Sequence, residues 1–425
     1  MVALLMIISF FLLFLAGCPI ILAIGLPSTI YVLLNGFPVE LIFSRYLYAL
    51  DSFTILAIPV FIFSGNLMNT SGITRRLFHF ADTAVGRFPG GLAQVNILAS
   101  LVFSGMSGAA LADVGGLGQM EITAMTEKGF PKPFSAAVTI ATSTVGPIFP
   151  PSIPLVLFGA ITGTSIVRLL LAGIIPAIIA VVFMMVFTGL IAVKRKYPRR
   201  DRFPSIQEFF SGLVPAFPAL IAPILLIGGM LSGFFTPTEA ASVVLAYILF
   251  IGKFIYRDMT FSHIKEAANT TILQTSAICI IMAFAMLFGW IMTIERMPML
   301  FKSAMAPFID NPLVLLLIIN LILIVVGMFL DSNTATLIVI PIFMPTILNA
   351  GIDPIQFGII VVLNLMIGLM TPPMGLSLLM VSEMVKVPIG RIFKEALWYF
   401  IPLFVTLAIV TFIPIVSLWI PGFLN

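Results

Sequence analysis

Oxygen-bearing residues set in the middle of apolar stretches are where this sequence can do chemistry. One stretch reads Ser104-Gly105-Met106-Ser107-Gly108-Ala109-Ala110, and another reads Gly327-Met328-Phe329-Leu330-Asp331-Ser332-Asn333-Thr334. Small, hydroxylated and glycine-rich residues let a chain turn within a membrane and leave carbonyl oxygens pointing inward. An alkali cation needs several such oxygens, mostly uncharged, on irregular backbone. Two more stretches, Gly146-Pro147-Ile148-Phe149-Pro150-Pro151 and Gly368-Leu369-Met370-Thr371-Pro372-Pro373, free further carbonyls, because proline removes the hydrogen bond that otherwise occupies them. One Na+ site per pair of stretches is expected. The first uses Ser104, Ser107, Gly146 and the carbonyls before Pro150, that of Phe149 included; the second uses Gly327, Asp331, Gly368, Thr371 and Met374. Asp331 is the acidic residue of a hairpin tip, and an intramembrane carboxylate is a functional candidate by default. It also suits the N-cap of a following helix, and the two roles are compatible.

An organic anion would find amide donors and positive dipole ends where four half-helix ends converge at mid-depth. Thr142, Ser143, Thr144, Ser332, Asn333, Thr334, Asn364 and Thr371 lie close to the breaks and are the candidate substrate ligands, although each can equally bond its own helix backbone. No arginine neighbours the breaks, so carboxylate recognition rests on amides, hydroxyls and bound Na+ unless Arg168 or Arg296 swings inward. Asp113 and Glu121 read as structural partners of basic or amide groups on one helical face. Glu239 after Thr236-Pro237 reads as a capping residue.

The two pairs of stretches are copies of one another. Gly105-Met106, Gly146 and Pro150-Pro151 recur 222 residues later as Gly327-Met328, Gly368 and Pro372-Pro373, and Gly129 matches Gly351 at the same offset. An unpartnered backbone group in a bilayer costs several kcal/mol. Paired helix breaks at corresponding positions of two repeats therefore point to the substrate and ion sites of a secondary transporter.

The elements that must position these residues follow from composition. Of 425 residues, 60% are hydrophobic and 9% charged, which predicts an all-α polytopic membrane protein. Apolar runs predict crossings near 2–17, 19–34, 53–69, 133–163 (interrupted) and 166–193, then near 213–233, 237–252, 270–293, 354–386 (interrupted) and 396–420. One re-entrant hairpin is expected in each half. Five crossings before the pattern restarts make the halves inverted repeats. The basic loop of Lys194, Arg195, Lys196, Arg199, Arg200 and Arg202 marks the cytoplasmic side. Amphipathic stretches 71–89 and 294–312 are expected to lie flat as arms. Met1–Gly17 reads as a retained span. Trp290 and Trp419 read as interfacial anchors, His79 as surface-facing, and Cys18 and Cys279 as packing residues. A frame from 1–90, 166–312 and 388–425 would surround a mobile body from 91–165 and 313–387.

The small net charge of +4 argues against a nucleic-acid partner. Walker A, nucleotide-binding and HExxH patterns are absent, so neither direct ATP use nor enzyme chemistry is expected. A passive channel is disfavoured because the polar groups cluster at one depth.

With Ser332-Asn333-Thr334, the Pro-Pro breaks, the flat arms and Phe235-Thr236-Pro237-Thr238-Glu239-Ala240-Ala241 in view, the chain resembles the large membrane subunit of tripartite ATP-independent periplasmic (TRAP) transporters, over essentially its whole length and most nearly in the sialic acid branch. The resemblance implies a Na+-driven elevator importer of the ion-transporter type in the bacterial inner membrane. It implies two partners, a small four-helix membrane subunit and a periplasmic substrate-binding protein. With nothing before Met1, the small subunit is expected as a separate chain. Carried over residue by residue, the resemblance supports both cation sites. The first tip has Ala110-Leu111-Ala112 where the second has Ser332-Asn333-Thr334, so site one is expected to lean more on carbonyls. The rival expectation is a stand-alone Na+/dicarboxylate symporter that needs no binding protein.

Overall fold

The computed structural model describes residues 2–51, 53–70, 72–199 and 204–424. Met1, and Arg200 and Arg202 of the basic loop, lie outside the described residues. Helix makes up 82% of the structure, with no strand among the described residues. The first half runs α1 (Val2–Leu15), α2 (Ile20–Leu34), α3 (Glu40–Leu50), a 3-10 turn (Phe53–Leu56), α4 (Ala57–Thr70) and α5 (Ile73–Val85). It continues with α6 (Leu92–Ser107), α7 (Ala110–Asp113), a π turn (Val114–Gly118), α8 (Gln119–Glu127), α9 (Lys132–Thr142), α10 (Ile153–Thr162), α11 (Ile166–Ala172) and α12 (Ile174–Arg195).

The second half runs α13 (Ile206–Leu231), α14 (Pro237–Phe250), α15 (Phe261–Ile294) and α16 (Met297–Ile309). Then follow α17 (Pro312–Phe329), α18 (Ser332–Asn349), α19 (Pro354–Leu369), α20 (Leu376–Val385), α21 (Ile389–Phe412) and α22 (Ile415–Leu418). The repeat is visible in these bounds. Ser107 and Phe329 end the first hairpin arms, Glu127 and Asn349 the second, and Lys132 and Pro354 open the broken helices. Each pair is separated by the 222 residues of the sequence repeat.

Among the described residues, seven helices are long and apolar enough to cross a membrane, α17 and α18 among them. Length alone therefore does not identify the hairpins; the position of their tips does, as described below. The breaks fall where expected. The α9 helix ends in a 3-10 turn at Ser143–Val145 and helix resumes at Ile153, while α19 ends at Leu369 and helix resumes at Leu376. Both Pro150-Pro151 and Pro372-Pro373 are cis.

Three elements differ from the sequence expectation. The α3 helix was not anticipated; it packs on α15, with Tyr46 edge-on to Phe284 at 5.0 Å and Arg45 over Trp290 at 5.1 Å. Trp290 is thus held in an internal contact, whereas Trp419 is exposed. The α15 helix begins at Phe261 rather than near 270, because Thr260 and His263 form a reciprocal cap and its first turns are helical but too polar to register as a span. At 34 residues it is roughly 51 Å long, well beyond a hydrocarbon core of about 30 Å. The crossing expected at 396–420 instead runs from Ile389 to Phe412 and stops before Pro414.

Two sets of helices each pack within themselves and also meet one another, along α15 and α18, α5 and α6, and α4 and α6. On one side, α4 packs on α14 and α15, α13 on α14, and α2 and α3 on α15. On the other, α17 packs on α19 and α6 on α9. The α12 and α21 helices, expected in the frame, join this second group: α21 packs on α9, α19 and α12, and α12 on α6. Polar contacts pin them there. Gln94 of α6 donates to the Met185 carbonyl of α12 at 2.9 Å, Gln356 donates to the carbonyls of Val410 and Thr411, and Asn320 donates to Thr411 at 3.1 Å, while a 2.9 Å hydroxyl bond between Tyr399 and Thr188 joins α21 to α12. The two amphipathic arms also differ. The α5 arm buries Ile73, Leu77 and Ala81 against α13 and α6, whereas α16 buries none of its residues and rests on α18 and α17.

Candidate substrate and ion site

Each hairpin tip meets the break of its own broken helix. In the first copy, α6 ends at Ser107 and the chain turns at Gly108 with φ 64°, a left-handed conformation that favours glycine. A Cβ at Gly108 would sit 2.6 Å from the Pro151 carbonyl oxygen, and the Ile153 amide donates to the Gly108 carbonyl at 3.3 Å. In the second copy, the Gly375 amide donates to the Met328 carbonyl at 3.1 Å. Gly327 and Gly368 lie backbone against backbone, so that a Cβ on Gly368 would fall 2.5 Å from the Gly327 carbonyl carbon. Both tips thus stop beside the midpoints of interrupted helices, which makes them re-entrant.

Of the expected cation ligands, Ser104 meets Gly146 in the first place and Gly327 meets Gly368 in the second. Ser104 is buried beside Gly146 and donates to the Ser100 carbonyl at 2.5 Å. Phe149 lies against Gly105, and Pro150 is buried. The Ser107 hydroxyl is 4% exposed and has no hydrogen-bond partner. Around the second tip, Thr371 donates to the Ile367 carbonyl at 2.7 Å, and Met374 is half-buried in the loop that carries the break. Asp331 caps α18. Its carboxylate accepts from the amides of Asn333 at 3.0 Å and Thr334 at 3.3 Å and from the Thr334 hydroxyl. Among the described residues no group of three His, Cys, Asp or Glu could hold a metal. The donor set of both places is carbonyls, hydroxyls and at most one carboxylate, and a hard monovalent cation fits it.

A cavity of about 260 Å³ opens between the two tips and the frame. Ser107 and Ala109 of the first tip, Asp331 and Asn333 of the second, and Ile153 at the start of α10 form one wall. The α4 and α15 helices form the other, with Asn66, Asn69 and Gln274 as its polar groups. Of the expected substrate ligands only Asn333 lines this space, and its Oδ1 has no partner.

The remaining candidates are engaged elsewhere. Ser143 and Thr144 donate to the carbonyls of Ile140 and Ala141, and Ser332 and Thr334 are buried in the first turn of α18. Thr142 and Asn364 occupy equivalent positions of the repeat. Thr142 donates to Asn96 at 2.8 Å, and Asn364 to Asn320 at 2.9 Å, so each ties a broken helix to the first arm of its hairpin. Arg168 and Arg296 do not line the cavity.

Asp113 and Glu121 lie either side of the π turn, close enough to interact with each other, and their neighbours are not the basic or amide groups expected. Both are buried, at 2% and 1% exposure. Their partners are hydroxyls: Asp113 bonds Ser100 and Glu121 bonds Thr139. Asn96 bridges Thr139 and Thr142, and Ser100 donates to Thr142, which closes a polar chain between the two carboxyl groups. One oxygen of each remains unpartnered. Glu239 forms the expected capping box with Thr236. His79 is exposed.

The frame residues Asn66, Asn69 and Gln274 were missed in the sequence. The available signal was a pair of carboxamides three residues apart inside an apolar span.

Two hairpins, two broken helices and a cavity at their meeting point define a secondary transporter of inverted-repeat type. Residues 7–416 match the family described as the tripartite ATP-independent periplasmic transporter, DctM component. The chain is 40% identical to the sialic acid TRAP transporter large permease protein SiaM of Vibrio cholerae, over 96% of this chain and 95% of that one. It is 39% identical to the sialic acid TRAP transporter permease protein SiaT of Haemophilus influenzae over 89% of its length, and spans 62% of that longer protein. It is 38% identical to the C4-dicarboxylate TRAP transporter large permease protein DctM of Pseudomonas aeruginosa, over 88% of each chain. The chain belongs to the DctM family of TRAP large permeases; it is a multi-pass inner-membrane transport protein and not an enzyme. Its fold is shared with the Alcanivorax borkumensis YdaH transporter, with a TM-score of 0.61 at 15% identity over 90% of this chain and 87% of that one. Neisseria gonorrhoeae MtrF matches at a TM-score of 0.60 and 14% identity, over 87% and 83% of the two chains.

Proposed function

We propose that this chain is the permease of a Na+-driven importer of an organic acid, with N-acetylneuraminate as the first substrate to test. The observation that carries the reading is the cavity at which both hairpin tips meet two frame helices. Sialic acid is named for SiaM and SiaT, whereas C4-dicarboxylates are named for a relative of nearly equal identity, so the anion class is better supported than the particular acid. Two Na+ ions bind where the tips meet the breaks, one around Ser104, Ser107, Gly146, Phe149 and Pro150, the other around Gly327, Asp331, Gly368, Thr371 and Met374. Their binding orders the tips and creates the anion site, which couples the two ligands by linkage. The hairpins and broken helices, with α12 and α21, move as an elevator against α1–α4 and α13–α15. A small four-helix membrane subunit and a periplasmic binding protein complete the machine.

The test is uptake of labelled N-acetylneuraminate into proteoliposomes holding this chain with its small subunit, with binding protein outside. Saturable uptake is expected only with all components and an inward Na+ gradient. Asp331→Ala, or Ser107→Ala with Thr371→Ala, is expected to abolish it; unchanged Na+ dependence in both would count against the site assignment. Uptake of a dicarboxylate by the purified chain alone would support a stand-alone symporter instead.

A further inference from the structure

We propose that the carboxamides of the frame, Asn66, Asn69 and Gln274, are specificity-determining residues that bind the neutral hydroxyl or amide groups of the substrate, while the hairpin side takes its carboxylate. This deepens the organic-acid reading above and rests on it.

The cavity is lined by no lysine, arginine or histidine, so every donor offered to a ligand is a neutral one. On the hairpin side the uncommitted donor is the Ser107 hydroxyl, which is buried and unpartnered; it stands beside the N-terminal end of α10 at Ile153, whose own amides are already bonded or, at Pro154, absent. An anionic oxygen suits a helix N-terminus backed by such a hydroxyl. On the frame side, Asn66 Nδ2 donates to Gln274 Oε1 at 3.1 Å and to Thr271 Oγ1 at 3.0 Å. This arrangement fixes the exposed Gln274 carboxamide through its oxygen and leaves its NH2 without a protein partner among the described residues. Asn69 Oδ1 accepts from Thr74 at 3.4 Å, so its NH2 is likewise uncommitted. It also lies directly against the π turn of the first hairpin, since a Cβ on Gly116 would fall 2.6 Å from Asn69 Nδ2.

Two uncommitted NH2 donors on the frame therefore face an unpartnered hydroxyl and the unpartnered Asn333 Oδ1 on the hairpins. A substrate spanning this gap must be anionic at one end and carry hydrogen-bonding oxygens at the other, as a polyhydroxylated sugar acid does and a short aliphatic acid does not. Sites that hydrogen-bond a substrate hydroxyl reject the analogue lacking it, because the buried donor is then left unpaired. The frame amides supply that discrimination.

The test uses the assembled transporter in proteoliposomes and the variants Asn66→Ala, Gln274→Ala and Asn69→Ala, with N-acetylneuraminate and a deoxy analogue lacking a hydroxyl of its glycerol tail as probes. The wild type is expected to prefer the full sugar acid. Gln274→Ala or Asn69→Ala is expected to weaken the half-saturating concentration for the full sugar acid by about tenfold, to leave that for the deoxy analogue within a factor of about 2, and to keep the Na+ dependence intact. Equal loss for both probes, or no loss for either, would overturn the proposal, and unfolding temperatures separate a fold defect from a binding one. Failure of the parent reading looks different: the wild type would then show no saturable, Na+-dependent uptake of either probe.

Discussion

The two hairpin-and-break pairs share one backbone and solve its problems with different side chains. In the second copy the tip meets the break backbone to backbone at Gly327 and Gly368. In the first the same glycines meet side chains: Gly105 faces Pro223 and Phe149, and Gly146 faces the Ser104 hydroxyl. The second tip carries one carboxylate at its apex, spent on capping α18. The first carries none at its apex but buries two further down its second arm, where the second copy has Ala335 and Phe343. The second copy thus makes its close approach at Gly327 and Gly368 and the first at Gly108 against Pro151, while the first alone adds the hydrogen-bond chain of its buried acids. Sequence symmetry of the backbone does not make the two sites equal.

The largest effect should appear where the copies differ in close approach. Gly368→Ala places a Cβ 2.5 Å from backbone that cannot retreat, whereas in Gly146→Ala the nearest atoms stand at 3.4 Å. Overpacking of this kind costs about 1–3 kcal/mol and occasionally more, so Gly368→Ala is expected to unfold roughly 2–5 °C below the wild type in detergent, and Gly146→Ala within about 1 °C. Equal shifts for the two would mean that the copies are packed alike after all.

Asp331 sharpens the comparison from the side of the tip. Asparagine keeps the capping acceptor and removes the charge; alanine removes both. The cap is worth about 1 kcal/mol, so Asp331→Ala is expected to lose stability and Asp331→Asn to lose little. If the carboxylate also binds Na+, the half-saturating Na+ concentration rises at least tenfold in both variants. A normal Na+ response in Asp331→Asn would reduce Asp331 to its cap.

The repeat, the breaks and the tips were legible in the sequence because glycine and proline act locally: Gly108 needs a left-handed turn, and a Pro-Pro pair cannot continue a helix. Assignments that depend on neighbours were not. Thr142 and Asn364 lie near the breaks in sequence, but their hydrogen bonds to Asn96 and Asn320 turn them toward helix packing. The frame half of the cavity escaped notice because Asn66 and Gln274 are 208 residues apart, and nothing along the chain announces that they meet. The polar first turns of α15 hid its true length, and the places of α12 and α21 were set by long-range bonds such as Gln94 to Met185 and Gln356 to Val410.

The smallest effect tests the buried carboxylates of the first hairpin. Asp113 and Glu121 are held only by hydroxyls, with one oxygen of each unpartnered and no cation in their hydrogen-bond chain. Burying two neighbouring carboxyl groups without a paired cation is costly whether they are desolvated as ions or held neutral, and an amide of the same shape lessens that cost while keeping an acceptor for Ser100 or Thr139. Glu121→Gln is therefore expected to leave the unfolding temperature unchanged or raise it by a degree or two, on the order of 0.5–1 kcal/mol. The reciprocal change should do the opposite. Ala335→Asp, at the equivalent point of the second hairpin, introduces a carboxylate where Ala335 is fully buried and no counterpart of the Ser100 hydroxyl exists, since the matching residue is Ile322. It is expected to cost about 2–3 kcal/mol. If Glu121→Gln proved as harmful as Ala335→Asp, the acidic pair would be a structural necessity of the first copy. A neutral or stabilising result leaves those two carboxyl groups in place for some reason other than stability, and makes the first hairpin the polar, adjustable member of the pair.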